Sequence, residues 1–219
     1  MDPAAVVLDL DGVLVDSETV WDDARRAVVQ EAGGRWTDRA TTDMMGMSST
    51  EWARYLHEEL AVRLPPQEIS ARVAHRVLES YRARLPLIPH ASEAVRALAA
   101  RYTLGLASSS NREVIEVFLD ASGLRACFTV TVSSEEVAHG KPAPDVYLEA
   151  ARRLGAEPAS CVAVEDSANG IRSARAAGMA VIAFPNPHFP PAHSVLAVAS
   201  LVIGSLAELG GAVDSMHPS

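Results

Sequence analysis

Short apolar runs alternate with amphipathic stretches over most of this 219-residue chain, and this alternation constrains the fold more than any other feature. Runs at about 103–107, 161–164 and 180–184 have the length and composition of strands that are covered on both faces. Most of them are followed by a stretch in which apolar residues recur about every 3.6 positions, which is typical of a helix. Repeated strand–helix units predict an α/β fold with a parallel sheet and helices on both faces.

The alternation is interrupted between residues 16 and 86, where the sequence predicts helices and no strand. The first helix is expected to begin after Ser17 and to end at the Gly33-Gly34 pair, because serine caps helix starts and glycine ends them. Two further helices are predicted at about 50–62 and 67–85.

These boundaries predict two domains: a core formed by residues 1–15 and 87–219, and an all-helical cap domain formed by residues 16–86. Near its end the core is expected to contain a short helix at about 205–209. A loose tail to Ser219 is expected to follow that helix.

The composition is that of an ordinary globular protein, and it narrows the possible partners. The formal net charge of −9 argues against a polyanion such as DNA or RNA, but it leaves a small phosphate ester open. No apolar run reaches membrane-spanning length and the N-terminus shows no export signal, so we expect no membrane association and a cytoplasmic location. Cys127 and Cys161 predict buried thiols rather than a disulfide or a metal site. Nothing in the sequence suggests a dedicated interface, so we expect a monomer.

The most distinctive short stretch is the run A-V-V-L-D-L-D-G at residues 5–12. In an extended chain Asp9 and Asp11 lie on the same side, and Gly12 allows a sharp turn directly after them. Two adjacent carboxylates repel each other unless a cation or a shared proton lies between them. The pattern therefore indicates a nucleophile, a proton-transfer group and a hard cation such as Mg²⁺. A strand ending in an ordinary Asp-Gly turn, or a calcium loop, remains the alternative.

Polar residues also follow three later strands, and each set has a structural alternative. The run from Ser108 to Asn111 opens a predicted helix and indicates either a phosphate site or a simple N-cap. Lys141, the only lysine of the chain, is either a fixed ammonium or a surface lysine in a proline-rich turn. Glu165 and Asp166 are either cation ligands or helix-capping acids. Because parallel strands present their carboxyl ends at one edge, the four sets together predict a nucleophile, a phosphate cradle and a Mg²⁺ site.

Taken in order, these motifs make the sequence resemble the haloacid dehalogenase (HAD) superfamily. They are the run D-L-D-G-V-L-V-D-S-E from Asp9, the strand-end Ser108, the run G-K-P-A-P-D around Lys141 and the run V-E-D-S-A-N-G-I from Val164. The resemblance covers nearly the whole chain and is greatest for the β-phosphoglucomutase and sugar-phosphate phosphatase branch. It implies a Rossmann-like core with a helical cap inserted after the first motif.

The resemblance also implies a mechanism and a set of site residues. Asp9 would attack phosphorus to form an aspartyl-phosphate, and Asp11 would serve as general acid and then as general base. Mg²⁺ would be held by Asp9, the backbone carbonyl of Asp11, Asp166 and Glu165. Ser108 and Lys141 would hold the phosphoryl oxygens. The substrate-binding residues that it implies are Ser108, Ser109, Asn111 and Lys141 in the core, and Trp21, Gly46 and Met47 in the cap.

The predicted cap favours hydrolysis over mutase chemistry. By resemblance, Met45 and Ser49 stand where β-phosphoglucomutases carry a lysine and an arginine, and the cap histidine of those enzymes is missing. Without cap cations to hold a second phosphate, we expect a phosphatase that acts on a small phosphate monoester, with sugar phosphates as the first candidates. A β-phosphoglucomutase-type mutase is the alternative enzyme, and a phosphate-responsive regulator on the same core is the alternative without activity.

Overall fold

A computed structural model describes residues 2–44, 47–187 and 190–216 of the chain. The strands are β1 (Ala5–Leu8), β2 (Thr103–Ser108), β3 (Val130–Ser133), β4 (Cys161–Glu165), β5 (Ala180–Ala183) and β6 (Leu201–Val202). The helices are α1 (Glu18–Glu31), α2 (Ala40–Met44), α3 (Ser49–Glu58), α4 (Pro66–Ala83), α5 (Ala91–Ala99), α6 (Arg112–Ser122), α7 (Asp145–Leu154), α8 (Ala168–Ala176), α9 (His193–Leu196) and α10 (Leu209–Ser215). In the described part of the chain, no helix is both long enough and apolar enough to cross a bilayer.

The strands form one parallel six-stranded sheet in the order β3-β2-β1-β4-β5-β6, which confirms the predicted fold class. Strand β1 is central, and Leu8 at its end pairs with Leu106 of β2 and with Val164 of β4. The carboxyl ends of these three strands therefore lie side by side at the same edge of the sheet. The strand order reverses between β1 and β4, and ligands of open parallel sheets bind in the crevice at such a reversal.

Strand β1 is buried on both faces, as its uninterrupted apolar sequence predicts. Val6 and Leu8 belong to the hydrophobic cluster on one face, whereas Ala5 and Val7 belong to the cluster on the other. Burying an aliphatic side chain of this size contributes roughly 1.5–3 kcal/mol. This burial anchors the strand that carries Asp9 to the crevice.

Helices α1 to α4, here called the cap helices, occupy the predicted helical segment. The two chain segments that lead into and out of them run side by side: Val15 forms a bridge with Leu87, and the amide of Asp16 donates to the carbonyl of Pro86 at 2.8 Å. This pairing coincides with the predicted boundaries at 15/16 and 86/87. One hydrophobic cluster extends from the sheet into the cap helices, so the division into two domains stays a prediction.

The C-terminal segment differs from the prediction of a loose tail. Helix α10 continues to Ser215, and its Leu209, Ala212 and Val213 are buried. Asp214 accepts hydrogen bonds from Arg101 at 2.9 Å and from the Tyr102 hydroxyl at 2.7 Å. The glycine pair at the start of α10 lowers helix propensity, and tertiary packing outweighs it.

Candidate active site

A cavity of about 80 Å³ lies between the carboxyl edge of the sheet and the cap helices. Of the predicted site residues it is lined by Asp9, Asp11, Ser109, Lys141 and Asp166 from the core and by Trp21 and Met47 from the cap segment. The structure therefore brings together residues that are up to 157 positions apart, from Asp9 to Asp166. Gly46 lies outside the described residues.

Asp9 is placed by the strand that precedes it. Its amide continues the sheet by donating to the carbonyl of Val164 at 3.0 Å, and its side chain accepts a hydrogen bond from the Lys141 ammonium at 2.8 Å. Burial raises the pKa of Asp9 to about 8; Lys141 opposes this rise, whereas Glu165 and Asp11 add to it. A carboxylate is held here at considerable electrostatic cost, which is typical of functional sites.

Lys141 is a buried ammonium, not a surface lysine. It is 3% exposed and donates to Asp9 at 2.8 Å, to Glu165 at 2.6 Å and to the carbonyl of Ala107 at 3.1 Å. Burial alone would lower the pKa of Lys141, but the charges of Asp9 and Glu165 hold it above its usual value. All three ammonium hydrogens have an acceptor, so the ammonium is fixed in direction.

Glu165 has both carboxylate oxygens engaged by the protein. Its Oε1 accepts from Lys141 and from the Tyr147 hydroxyl, each at 2.6 Å. Its Oε2 accepts from the Asp166 amide at 3.2 Å and from the Ser167 hydroxyl at 3.3 Å. The sequence analysis missed Tyr147, because a tyrosine on the apolar face of α7 has the pattern of an ordinary core residue.

The donor set fits a divalent cation. Asp9, Glu165 and Asp166 are buried, and each offers a carboxylate oxygen within 4.8 Å of the others. Burial and the charges of Glu165 and Asp9 raise the pKa of Asp166 well above its usual value, although Lys141 opposes the rise. One ammonium among three close carboxylates leaves negative charge uncompensated, and oxygen ligands of this kind suit Mg²⁺.

Asp11 is held from both sides of its carboxylate. Trp21 Nε1 of α1 donates to Oδ1 at 2.9 Å, and the Ser110 hydroxyl donates to Oδ2 at 2.5 Å. The Ser108 hydroxyl lies 3.4 Å from the same Oδ2. Trp21, predicted as a substrate contact, thus also joins the cap helices to Asp11. Ser110 is a partner of Asp11 that the sequence analysis did not single out from the serine run.

The residues from Ser108 to Asn111 do not all face the same cavity. Ser108 is fully buried and does not line the cavity, whereas Ser109 does, with a buried hydroxyl that has no partner among the described residues. Asn111 lies in a separate cavity of about 480 Å³. There its amide oxygen accepts from the Ser49 hydroxyl at 2.7 Å, and its nitrogen donates to Glu135 at 2.6 Å. Asn111 therefore lies between α3 and the core, outside the cavity that contains Asp9.

The cap segment supplies one cation that the sequence analysis did not expect. Arg25 of α1 lines the cavity together with Trp21, which lies one helical turn before it. Residues four positions apart share a helix face, so this neighbourhood follows from the position of Trp21. The expectation that the cap offers no cation rests on Met45, on Ser49 and on the missing cap histidine, and Arg25 shows that it is wrong for the cavity as a whole. Met45 lies outside the described residues.

Gly12 allows the first and last motifs to approach each other. Its φ is +79°, and a Cβ at this position would lie 2.0 Å from Oδ2 of Asp166. Both the backbone conformation and the contact exclude a larger residue. The turn after Asp11 therefore brings the main chain directly against the Asp166 carboxylate.

Gly170 of α8 allows the helix backbone to approach the Glu165 carboxylate closely. A Cβ there would lie 1.9 Å from the Glu165 carboxylate, so Gly170→Ala is expected to displace that carboxylate and to cost roughly 1–3 kcal/mol of unfolding free energy. The melting temperature should fall by several degrees, at about 2–4 °C per kcal/mol.

Gly211→Ala is the matched control, because nothing outside its chain neighbours and its own helix backbone lies within 4 Å of its Cβ position in α10. Alanine favours a helix over glycine by about 1 kcal/mol, so this variant should melt at or above the wild-type temperature. Equal melting temperatures for the two variants would contradict the proposed contact between α8 and Glu165.

Known proteins resemble this chain over most of its length. The chain is 32% identical over 208 residues to a bifunctional riboflavin kinase/FMN phosphatase from Arabidopsis thaliana, covering 94% of this chain and 54% of that protein, so it spans about half of that relative. It is 35% identical over 186 residues to hexitol phosphatase B from Escherichia coli, covering 84% of each. The structure of CbbY from Rhodobacter sphaeroides in complex with phosphate superimposes with a TM-score of 0.85, at 27% identity, covering 97% of this chain and 99% of that one. The profile of the haloacid dehalogenase-like hydrolases matches residues 3–178, and the chain belongs to that family.

Proposed function

We propose that this hydrolase is a Mg²⁺-dependent phosphatase that cleaves a small phosphate monoester, with sugar phosphates as the first candidates. The observation that carries the proposal is the buried cluster of Asp9, Glu165 and Asp166 around Lys141 at the end of the central strand. Two of the relatives described above are named for phosphatase activity, one of them toward hexitol phosphates. Their names support the reaction class and the substrate class proposed here.

The metal is assigned to Asp9 and Asp166, with the backbone carbonyl of Asp11 as a third ligand. Bound there, Mg²⁺ would neutralise the phosphoryl oxygens and the attacking carboxylate. Glu165 belongs to the same cluster, but both of its carboxylate oxygens already accept hydrogen bonds from protein donors. We therefore assign Glu165 mainly to orienting Lys141 and the Asp166 backbone.

In the first half-reaction, a carboxylate oxygen of Asp9 forms a bond to phosphorus while the bond from phosphorus to the ester oxygen breaks. Asp11 donates a proton to the departing alkoxide, which leaves as an alcohol. Trp21 and Ser110 hold the Asp11 carboxylate in place for this transfer. Lys141 offsets the repulsion between the attacking carboxylate and the phosphate dianion.

In the second half-reaction, Asp11 accepts a proton from a water molecule as that water attacks phosphorus. The bond between phosphorus and Asp9 breaks, inorganic phosphate leaves, and Asp9 is again a carboxylate. Ser109 lines the cavity with a hydroxyl that has no partner among the described residues, and it is assigned to the phosphoryl oxygens together with Lys141. The predicted role of Ser108 is then indirect, because its hydroxyl accepts from the Ser110 amide at 2.9 Å.

The cap helices are proposed to move as one domain, residues 16–86, against the core. The cavity of about 80 Å³ is much smaller than the roughly 300–1,000 Å³ of usual small-molecule sites. A sugar phosphate could enter only if the cap helices move away from the core. The paired segments at 15/16 and 86/87 are the expected hinge.

The experiment is an assay of phosphate release from hexose, hexitol and pentose phosphates with and without Mg²⁺. Glucose 1-phosphate is monitored in parallel for conversion to glucose 6-phosphate. Release that requires Mg²⁺ supports the proposal. Turnover of none of these esters, by protein shown to be folded, would remove sugar phosphates from the proposal.

A phosphosugar mutase is the second candidate, and one observation favours it. Arg25 gives the cavity a cap cation that could hold a second phosphate during transfer. Isomerisation of glucose 1-phosphate without phosphate release would favour the mutase over the phosphatase.

Metal binding can be tested without turnover. If Mg²⁺ binds at Asp9 and Asp166, a concentration about 100 times its dissociation constant should stabilise the protein by about 2.7 kcal/mol, which corresponds to roughly 5–11 °C in melting temperature. Asp166→Asn should melt higher than wild type without metal, because a buried carboxylate with a raised pKa is removed. It should lose most of the rise with Mg²⁺.

Asp38→Asn makes the same change at an exposed position and should keep the full rise. An unchanged Mg²⁺ response in Asp166→Asn would exclude Asp166 as a ligand.

A further inference from the structure

Arg25 is an ordered cation on the cap side of the cavity. Its guanidinium carbon lies 5.5 Å from the ring centroid of Trp21 and 5.4 Å from that of Trp52. The two indoles meet edge to face, with centroids 6.0 Å apart and an interplanar angle of 60°. A guanidinium beside two indole rings is attracted to both, so its direction is fixed by packing.

The hydrogen-bonding capacity of Arg25 is not used within the described structure. Its Nε is buried and has no hydrogen-bond partner there. Glu18 and Asp22 attract the Arg25 cation electrostatically, but neither forms a described ion pair with it. Burial lowers the pKa of Arg25 to about 10, and these two carboxylates with Asp11 limit the fall, so the side chain stays charged at neutral pH.

Lys141, the other cation of the cavity, already uses its hydrogen bonds within the protein. Lys141 donates to two carboxylates and a carbonyl, whereas Arg25 presents a planar set of donors suited to a carboxylate or a phosphate. Leaving a buried donor without an acceptor is unfavourable, and a ligand oxyanion would remove that penalty.

We propose that Arg25 binds a second oxyanion of the substrate, a carboxylate or a phosphate, at the end remote from the phosphate that is hydrolysed. This inference rests on the phosphatase function proposed above and narrows its substrate class to esters with charge at both ends. Such a molecule would bridge the core through Lys141 and the cap through Arg25. It would also supply the acceptor that the Nε of Arg25 lacks when the cap is closed.

The test compares two pairs of esters that differ in the second anion. 3-Phosphoglycerate and glycerol 3-phosphate differ by a carboxylate in place of a hydroxymethyl group. Fructose 1,6-bisphosphate and fructose 6-phosphate differ by one phosphate. We expect wild type to prefer the doubly anionic member of at least one pair by about tenfold or more in kcat/KM, as charge-assisted hydrogen bonds allow.

Arg25→Gln should reduce that preference to near unity, and Arg25→Lys should retain part of it, since the charge remains but the planar set of donors is lost. Arg54→Gln, at an exposed position of α3, makes the same charge change and should leave the ratio unaltered. A preference within the first pair identifies a carboxylate, and one within the second pair identifies a phosphate.

Binding is measured separately, so that this inference and the phosphatase function can fail independently. In an Asp9→Asn background, the four esters are compared by the shift in melting temperature with and without Arg25→Gln. A preference that survives Arg25→Gln, or a wild-type preference for the singly anionic member of both pairs, overturns the role of Arg25 while hydrolysis stands. Binding that depends on Arg25 without hydrolysis of any ester would overturn the phosphatase proposal instead.

Discussion

Asp9→Asn is expected to leave the protein folded and to reduce phosphate-ester turnover by a factor on the order of 10⁴–10⁶. An amide is isosteric with a carboxylate but cannot attack phosphorus, so the covalent step is lost. The fold should survive because the Asp9 amide still donates to Val164 and the Asn side chain keeps an oxygen for Lys141. Removing a buried carboxylate whose pKa is raised to about 8 should also leave metal-free stability unchanged or higher.

The measurement is phosphate release under saturating substrate, accompanied by circular dichroism and melting temperature. Acid-quenched wild type should carry a phosphoryl group on the peptide that contains Asp9, and Asp9→Asn should not. Asp38→Asn serves as the exposed control and should retain wild-type turnover. Near-normal activity of Asp9→Asn would disprove its role as the nucleophile.

The central positions of the site could be predicted from the sequence because they depend on local chain geometry. Asp9 and Asp11 come directly after a buried strand, so they lie at the same edge of the sheet as Lys141, Glu165 and Asp166, which lie at or beyond the ends of other strands. Parallel pairing then brings these residues together, whatever the details of helix packing. The same reasoning predicts the sheet and most of its helices.

Residues placed by packing between distant elements could not be predicted in this way. Tyr147 reaches Glu165 only because α7 packs on one face of the sheet, and its sequence position indicates no more than a buried helix face. Asn111 directs its amide toward Ser49 and Glu135, because contacts with α3 decide its orientation. Helix α10 forms despite Gly210 and Gly211 because its apolar residues find a surface to cover. Local propensity carries no information about any of these contacts.

Arg25 is an intermediate case. The helical period from Trp21 places Arg25 on the same face of α1, so its direction could have been predicted once Trp21 was assigned to the cavity. The lack of a described hydrogen-bond partner for its Nε could not have been predicted, because it depends on the final position of every nearby carboxylate. Met45, Ser49 and the missing cap histidine carry no information about Arg25, so they could not reveal the cation that the structure places in the cavity.

Lys141→Met is expected to lower the free energy of unfolding by about 3–5 kcal/mol and to abolish turnover. Methionine has a similar length but no charge, so Asp9 and Glu165 would remain buried without their shared cation. In metal-free protein the loss should depend on pH. An unfolded aspartate releases its proton near pH 4, whereas Asp9 in the fold holds its proton to about pH 8. Between these values the folded state binds more protons, so stability falls as pH rises.

Because Lys141 lowers the pKa of Asp9, removing it should raise that pKa and extend the fall to higher pH. Chemical denaturation of Lys141→Met at pH 5, 7 and 9 should therefore show a larger loss relative to wild type at pH 9 than at pH 5. The double variant Asp9→Asn/Lys141→Met removes charge from both partners and should be more stable than Lys141→Met alone. If the double variant is no more stable and the loss is the same at every pH, Lys141 contributes packing rather than charge. That result would contradict the claim that the charge of Lys141 stabilises the buried carboxylates of Asp9 and Glu165.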